Sequence, residues 1–391
     1  MKLSGLITSA TAWPRWAAWL LVALFAAAVA RFHEPGTGFT SLICFGDKFA
    51  ENSLPVLQAT AHDIQKGSWG YDGQFYAQLA LDPTLRDPGL PNAIDNLPYR
   101  ARRILFAWSA HLLGLGQPFW VLQAFALQNV LCWALIGWLL RRWIPLDSAF
   151  NLLRWAGVMF SSGLMCSVHR ALTDGPSLLL IIIALRLLEQ GRTGVGSLVL
   201  GINGLGRETN VLAAVLLPPP GRDARSWLRA FVCGLLAVAP LILWLAWLRH
   251  AYANGFDTGS RNLQAPFTGL AEKIGQTASL AFSGGRSWAP WSVATLAAYL
   301  VQSAFLGLHR DWKSPVWRLG MTTALFGLFL GSAVWEGEPG AFTRVLLPLN
   351  LAFNLRLQPG RTSHLVWAAL GNLSVLHGFA EMRIPLLSSL F

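Results

Sequence analysis

The chain has 391 residues, of which 54% are hydrophobic and 13% charged. Soluble domains carry about 25% charged residues, so a soluble globular protein is excluded and an all-α polytopic membrane protein is expected, one integral membrane domain over 1–391. A net charge of +11 would suit nucleic acid, but the basic residues lie at the ends of apolar runs with no aromatic-interleaved patch, the pattern of topology signals.

Lys2 and Arg15 precede an apolar run from Trp16 to Ala30, which is expected to cross from the cytoplasm outward. Ala28-Val29-Ala30 before Arg31 imitates a signal-peptide cleavage site, but an uncleaved first span is expected because many further apolar runs follow. Residues 32–99 then form a large first external loop. Its Pro, Gly, Asn and Asp content forbids a lipid-facing span and predicts short interfacial helices. Arg100 to Leu115 is too short for a crossing and reads as an interfacial or re-entrant helix.

Phe119 to Leu140 is a span closed by Arg141-Arg142 on the cytoplasmic side. Leu152 to Val168 returns outward to His169-Arg170, and Leu178 to Leu188 goes back in. Val195 to Leu217 is interrupted by Gly201, Gly204 and Gly206 and carries Arg207-Glu208 in its middle, with arginines at both ends. That pattern predicts a broken hairpin of two half-helices with a charged tip inside the protein, or an internal Arg207–Glu208 pair that pins two helices. Trp227 to Leu248 exits, residues 249–288 form a second external loop with an amphipathic helix near Leu270 to Leu280, and Ala289 to Leu308 re-enters. Val316 to Trp335, the stretch from Phe342 to near Arg356, and Leu365 to Phe379 complete about ten transmembrane or half-spanning helices. No repeat of 20–50 residues is present.

Chemistry is expected where polar residues concentrate. The external stretch Tyr71-Asp72-Gly73-Gln74-Phe75-Tyr76 places a carboxylate beside a small Gly73 and between aromatic rings. It describes either a reactive acid on a tight turn or an interfacial anchor whose Asp72 begins a short helix. Topology assigns Asp72, Asp82, Asp95, Arg100, Arg103, His169, Arg170, Asp174, Glu336, Glu338 and Arg344 to the external ends of spans. Asp82-Pro83 reads as a turn, and Glu336 and Glu338 as a solvated one. Asp174 before Gly175-Pro176 either begins a helix or serves as an acid. Carboxylates with arginines suit proton removal from an acceptor hydroxyl and stabilisation of a departing phosphate. The four cysteines, Cys44, Cys132, Cys166 and Cys233, show no metal-ligand spacing and imply no disulfide framework. No His or carboxylate ligand set is present at fixed spacing, so no metal or other cofactor is expected.

Tyr71 to Tyr76 with Asp82-Pro83, Arg100 to Leu105, His169 to Asp174 before an apolar helix, Gly206-Arg207-Glu208-Thr209-Asn210, and Thr343-Arg344 before Leu346-Leu347-Pro348 together resemble the GT-C superfamily of multi-spanning glycosyltransferases. The likeness is narrower to bacterial members that build cell-surface glycopolymers. It runs through most of the chain, although each motif alone is short. The resemblance implies an inner-membrane enzyme with an external active site, a polyprenyl-phosphate sugar as donor, and a glycan or lipid acceptor. It implies Asp72 as base with Asp95 or Asp174 as second acid. It also implies Arg207 and Arg344 as phosphate contacts, within a substrate site expected from Tyr71, Gln74, Tyr76, Arg100, Arg103, His169, Arg170, Arg207, Glu208 and Arg344. Many superfamily members carry two adjacent or near-adjacent acids in this loop, whereas here Asp72 stands alone with Asp82 ten positions on. A lipid-linked saccharide transporter or flippase, and a noncatalytic membrane scaffold, are the competing expectations.

Overall fold

The computed structural model describes residues 12–252, 262–282 and 289–384. Lys2 and the stretches 253–261 and 283–288 of the expected second external loop lie outside the described residues. Among the described residues the regular structure is helical, with no strand. The α-helices of eight residues or more are, in chain order, α1 (Trp13–Ala30), α2 (Asp72–Leu81), α3 (Leu105–Leu113), α4 (Pro118–Leu140), α5 (Ala149–Met159), α6 (Ser162–His169), α7 (Asp174–Glu189), α8 (Thr193–Gly204), α9 (Ala224–Ala251), α10 (Thr268–Phe282), α11 (Ala289–Leu308), α12 (Pro315–Leu328), α13 (Leu347–Arg356), α14 (Thr362–Gly371) and α15 (Ser374–Glu381).

Four of these, α1, α4, α9 and α11, are long and apolar enough to cross a membrane, a task that takes about 20 residues of helix. Trp16 and Trp19 on α1, Trp138 on α4, and Trp227, Phe231 and Leu243 on α9 are exposed, as fits helices whose solvent is lipid rather than water. The other expected crossings are shorter helical pieces. Leu152 to Val168 is cut at Phe160-Ser161 into α5 and α6, and α7 has 16 residues. Val195 to Leu217 breaks after α8, and a 3-10 helix, Glu208–Leu216, follows the turn at Arg207. The run after Arg100 gives only the nine-residue α3, whose end leaves Leu112, Leu113 and Leu115 exposed.

The chain divides into two compact units. One comprises Val29–Leu135 and Ser167–Thr258, the other Met1–Ala28, Ile136–Cys166 and Gly259–Phe391. In the first unit the segment 32–99 is a packed layer, because Leu42, Ile43, Leu54 and Leu57 share a core with Tyr76 and Leu79 of α2 and with Phe125 of α4. The second unit has its own core, built on Tyr299, Phe305, Trp317, Trp335, Leu349 and Phe353.

Asp82 is a turn residue. Its carboxylate accepts hydrogen bonds from the Thr84 hydroxyl at 2.6 Å and from the backbone N–H groups of Arg86 and Asp87 at 2.8 and 2.7 Å. Burial pushes its pKa up, but these hydrogen bonds outweigh burial and hold the carboxyl below its ordinary value. A depressed folded pKa stabilises the turn above the unfolded value of about 3.9, and that contribution is lost as pH falls through the folded value. Asp82→Ala should therefore lower the thermal midpoint at neutral pH, and the gap to the parent should narrow as pH falls below about 4. A gap that stays constant with pH would show that the carboxylate does not hold the turn.

Candidate functional site

The site is built on α2, and two glutamines fix that helix. Gln74 accepts from the Gly46 N–H at 3.2 Å and donates to the Trp69 carbonyl at 2.8 Å. Gln78 accepts from the Leu54 N–H at 2.8 Å and donates to the Ala93 carbonyl at 2.7 Å. Both side chains lie in the interior, where each unsatisfied backbone group would cost about 1–3 kcal/mol. Gln74, expected among the substrate contacts, is committed to the loop backbone. Gly73 is helical, and its role is clearance: a Cβ there would meet the Arg170 carbonyl at 2.2 Å and the Ile43 carbonyl at 2.8 Å.

This packing leaves Asp72 at the first position of α2, after an extended Tyr71 that makes no side-chain cap. The Asp72 side chain is 29% exposed, and its Oδ1 meets Arg100 Nη2 at 3.0 Å. The same guanidinium holds Asp95 by two bonds, Nε to Oδ1 at 2.9 Å and Nη2 to Oδ2 at 2.6 Å. It lies 5.1 Å from the Phe75 ring centroid and 5.6 Å from those of Tyr76 and Tyr99. Burial works against the Arg100 charge, but the bond to Asp95 and the nearby Asp72 overcome it and hold its pKa well above the ordinary value.

Arg103, three residues on, makes a bidentate pair with Glu208, Nε to Oε2 at 2.8 Å and Nη2 to Oε1 at 2.7 Å. It also donates to the Tyr76 hydroxyl at 2.8 Å and the Tyr99 hydroxyl at 3.1 Å. Tyr76 therefore joins the two halves of the network, its ring against Arg100 and its oxygen on Arg103. Burial pushes the Tyr76 pKa up, which keeps the phenol neutral.

Arg207 and Glu208 do not pair with each other as a helix pin. Glu208 turns to Arg103, while Arg207 donates through Nη1 to Asp174 Oδ1 and through Nε to Thr209 Oγ1 at 3.2 Å. Asp174 is the first residue of α7, and its side chain is 2% exposed. Ser177, one turn along α7, and Asn203, at the end of α8, are fully interior, and neither Ser177 Oγ nor Asn203 Nδ2 has a hydrogen-bond partner. A Cβ on Gly206 would strike Phe106 at 2.6 Å and Ser177 Oγ at 2.9 Å, so glycine lets the chain pass into the turn that carries Arg207.

The structure thus gathers Asp72, Asp95, Arg100, Arg103, Tyr76 and Glu208 into one network, with the Asp174–Arg207 pair on the adjoining residue. Arg170 covers the Tyr71 ring, its guanidinium carbon 4.2 Å from the centroid. His169 packs against Phe32 at 5.0 Å, and its carbonyl accepts from the Cys44 thiol at 3.6 Å. Arg344 belongs to the other compact unit, buried in the short helix Phe342–Val345.

Two participants escaped the sequence reading. The Tyr99 ring has the guanidinium carbons of Arg100, Arg102 and Arg103 within 5.1–5.6 Å of its centroid, and Arg102 is buried beside it. Three arginines within four residues of a tyrosine, in so apolar a chain, are the signal that points to both. Trp244 of α9 closes this side, donating to the Ala101 carbonyl at 2.8 Å and stacking on Trp247.

Among the described residues no group of three His, Cys, Asp or Glu side chains could hold a metal ion. The four cysteines are free thiols. The arrangement offers two part-exposed acids, Asp72 at 29% and Asp95 at 39%, the second on a bidentate clamp, and several arginines held in a poorly hydrated setting where their charge is strongly felt. No family model, no curated protein and no solved structure matches the chain.

Proposed function

We propose that the chain is a membrane glycosyltransferase of the GT-C type, which moves a sugar from a polyprenyl-phosphate donor to a glycan or lipid hydroxyl at the external face of a bacterial inner membrane. The observation that carries the proposal is the meeting of a half-exposed Asp72 with Arg100 inside a set of buried arginines drawn from distant segments. In the transfer, Asp72 takes the proton of the acceptor hydroxyl as its oxygen bonds to the anomeric carbon. The bond from that carbon to the phosphate breaks on the opposite side, and guanidinium groups hold the departing phosphate. The configuration at the anomeric carbon inverts. No metal or other cofactor takes part in this scheme. Asp72 is better suited than Asp174 to meet an acceptor, because 29% of its side chain is open against 2%.

The experiment is to incubate membranes containing the protein with polyprenyl-phosphate sugars labelled in the sugar. Transfer of label to a lipid or glycan acceptor is expected. A carrier is the second reading, favoured by the buried Arg207–Asp174 pair at a helix break, a feature shared with transporters. Label that crosses the bilayer while still joined to its phosphate would establish the carrier and defeat the transferase.

A further inference from the structure

In the first compact unit, α6 and α7 are joined by a corner whose backbone is strained. Ala171 holds a φ of 46°, the left-handed region in which a Cβ crowds the neighbouring carbonyl and which glycine ordinarily fills. The residue is fully interior, so water cannot replace a hydrogen bond lost around it. Such a conformation persists only where its surroundings over-determine it.

Those surroundings are one amide and one hydroxyl. Asn129, in the middle of α4 and 1% exposed, donates through Nδ2 to the Leu172 carbonyl at 2.9 Å and accepts at Oδ1 from the Ser167 hydroxyl at 2.9 Å. Ser167 Oγ accepts in turn from the Gly175 N–H at 2.8 Å and lies 3.2 Å from the same Leu172 carbonyl. A polar side chain of a membrane-spanning helix therefore ties together positions on both sides of Ala171, the use to which buried amides in such helices are put.

The corner also carries three contacts of the Asp72 site. The Arg170 carbonyl is the atom that a Cβ on Gly73 would meet at 2.2 Å. The Arg170 guanidinium carbon lies 4.2 Å from the Tyr71 ring centroid, and Asp174 pairs with Arg207. A change of φ at Ala171 reorients everything after it relative to everything before it, so a relaxed corner could not keep all three.

We propose that Asn129 is a positioning residue: by holding Ala171 in the left-handed conformation it sets the placement of Arg170 and Asp174 and, through the Arg170 carbonyl, that of the first turn of α2, which bears Asp72. It touches no reacting group. Its effect on transfer rests on the proposed function, whereas its hold on the corner does not.

The test uses the full chain in lipid nanodiscs and three variants. Asn129→Leu keeps the volume and removes the amide, Ala171→Gly leaves the conformation accessible without the crowding, and the third combines them. Hydrogen exchange in Asn129→Leu is expected to quicken at least tenfold over 170–175 and over 73–77, while the Asp82 turn, held by its own hydrogen bonds, is unchanged. The double variant should regain part of the protection. Thermal midpoints complete a cycle: Asn129→Leu should lower the midpoint less in the Ala171→Gly background than in the parent, because an unstrained corner needs less holding. Should Asn129→Leu fail to accumulate, Ser167→Ala, which removes the other half of the clamp, carries the same comparisons. In the label assay, transfer per unit of folded protein should fall at least tenfold in Asn129→Leu and recover in part in the double variant, a rescue that a general loss of stability would not show. Exchange that rises uniformly along the chain, or stays at the parent level over 73–77, overturns the inference, and so does an equal fall in midpoint in both backgrounds. Exchange and midpoints need no turnover, so they decide the role of Asn129 even if the parent transfers no label, a result that would defeat the transferase reading alone.

Discussion

Asp72→Asn is expected to lower sugar transfer by roughly 10²- to 10⁴-fold, the usual contribution of a positioned general base, while the protein accumulates in the membrane at its normal level. The change keeps size and shape, and an amide oxygen can still accept from Arg100 Nη2, which lies 3.0 Å from Asp72 Oδ1. What is lost is the negative charge and the capacity to take a proton. The two other acids provide internal comparisons. Asp95→Asn weakens the bidentate hold on Arg100 and should give an intermediate activity, since the half-exposed Asp72 is still present. Asp174→Asn leaves Arg207 without its carboxylate in a buried setting and should show first as a lower folded yield. Activity would be measured as label transferred per unit of folded protein. Near-normal transfer by Asp72→Asn would remove that residue from the chemistry, and a selective kinetic loss in Asp174→Asn at full yield would move the base to α7.

The second large effect concerns Arg103 and Glu208. Their side chains are 9% and 22% exposed, and removing one partner of such a pair leaves the other charge unmatched, at about 3–5 kcal/mol. Arg103→Met should therefore destabilise the protein strongly, the more so because the Tyr76 and Tyr99 hydroxyls lose their donor. The double variant Arg103→Met with Glu208→Leu should recover most of the stability, because a hydrophobic pair replaces an ionic one of similar size. Thermal midpoints in nanodiscs give the double-mutant cycle. If Arg103 also contacts the donor phosphate, the double variant will be stable and inactive. A stable double variant with full transfer would reduce the pair to a structural clasp.

Long uninterrupted apolar runs were legible in the sequence, since hydropathy alone sets α4, α9 and α11 apart. The broken runs were harder to read. Leu152 to Val168 was expected as one span, yet it carries Arg154 and Ser161-Ser162-Gly163, and the chain breaks between Met159 and Ser162, at that small, polar stretch. The stretch holding Asp72 read as an external loop with short interfacial helices, but Gln74 and Gln78 give it a hydrogen-bonded interior, and nothing in local sequence says which distant N–H or carbonyl a buried amide will find. The same limit applies to the charges. Asp72, Arg103, Asp174, Arg207 and Glu208 were recognisable as unusual in an apolar chain, but the pairing of residue 103 with 208 and of 174 with 207 is a tertiary fact. Adjacency suggested an Arg207–Glu208 bond that the backbone at the turn does not make. Tyr99 was passed over because its neighbours carried the charge, whereas its ring is the surface around which three of them assemble.

The clearance at Gly73 has a mechanical consequence. With the carbonyls of Ile43 and Arg170 pressed against the first turn of α2, that turn cannot rotate or slide unless the 40s segment and the 169–171 corner travel with it. Asp72 is therefore the stationary reference of the network, carried on backbone wedged from two sides. Any adjustment to a guest must come from the long side chains around it, whose torsions can reset while the acid keeps its place.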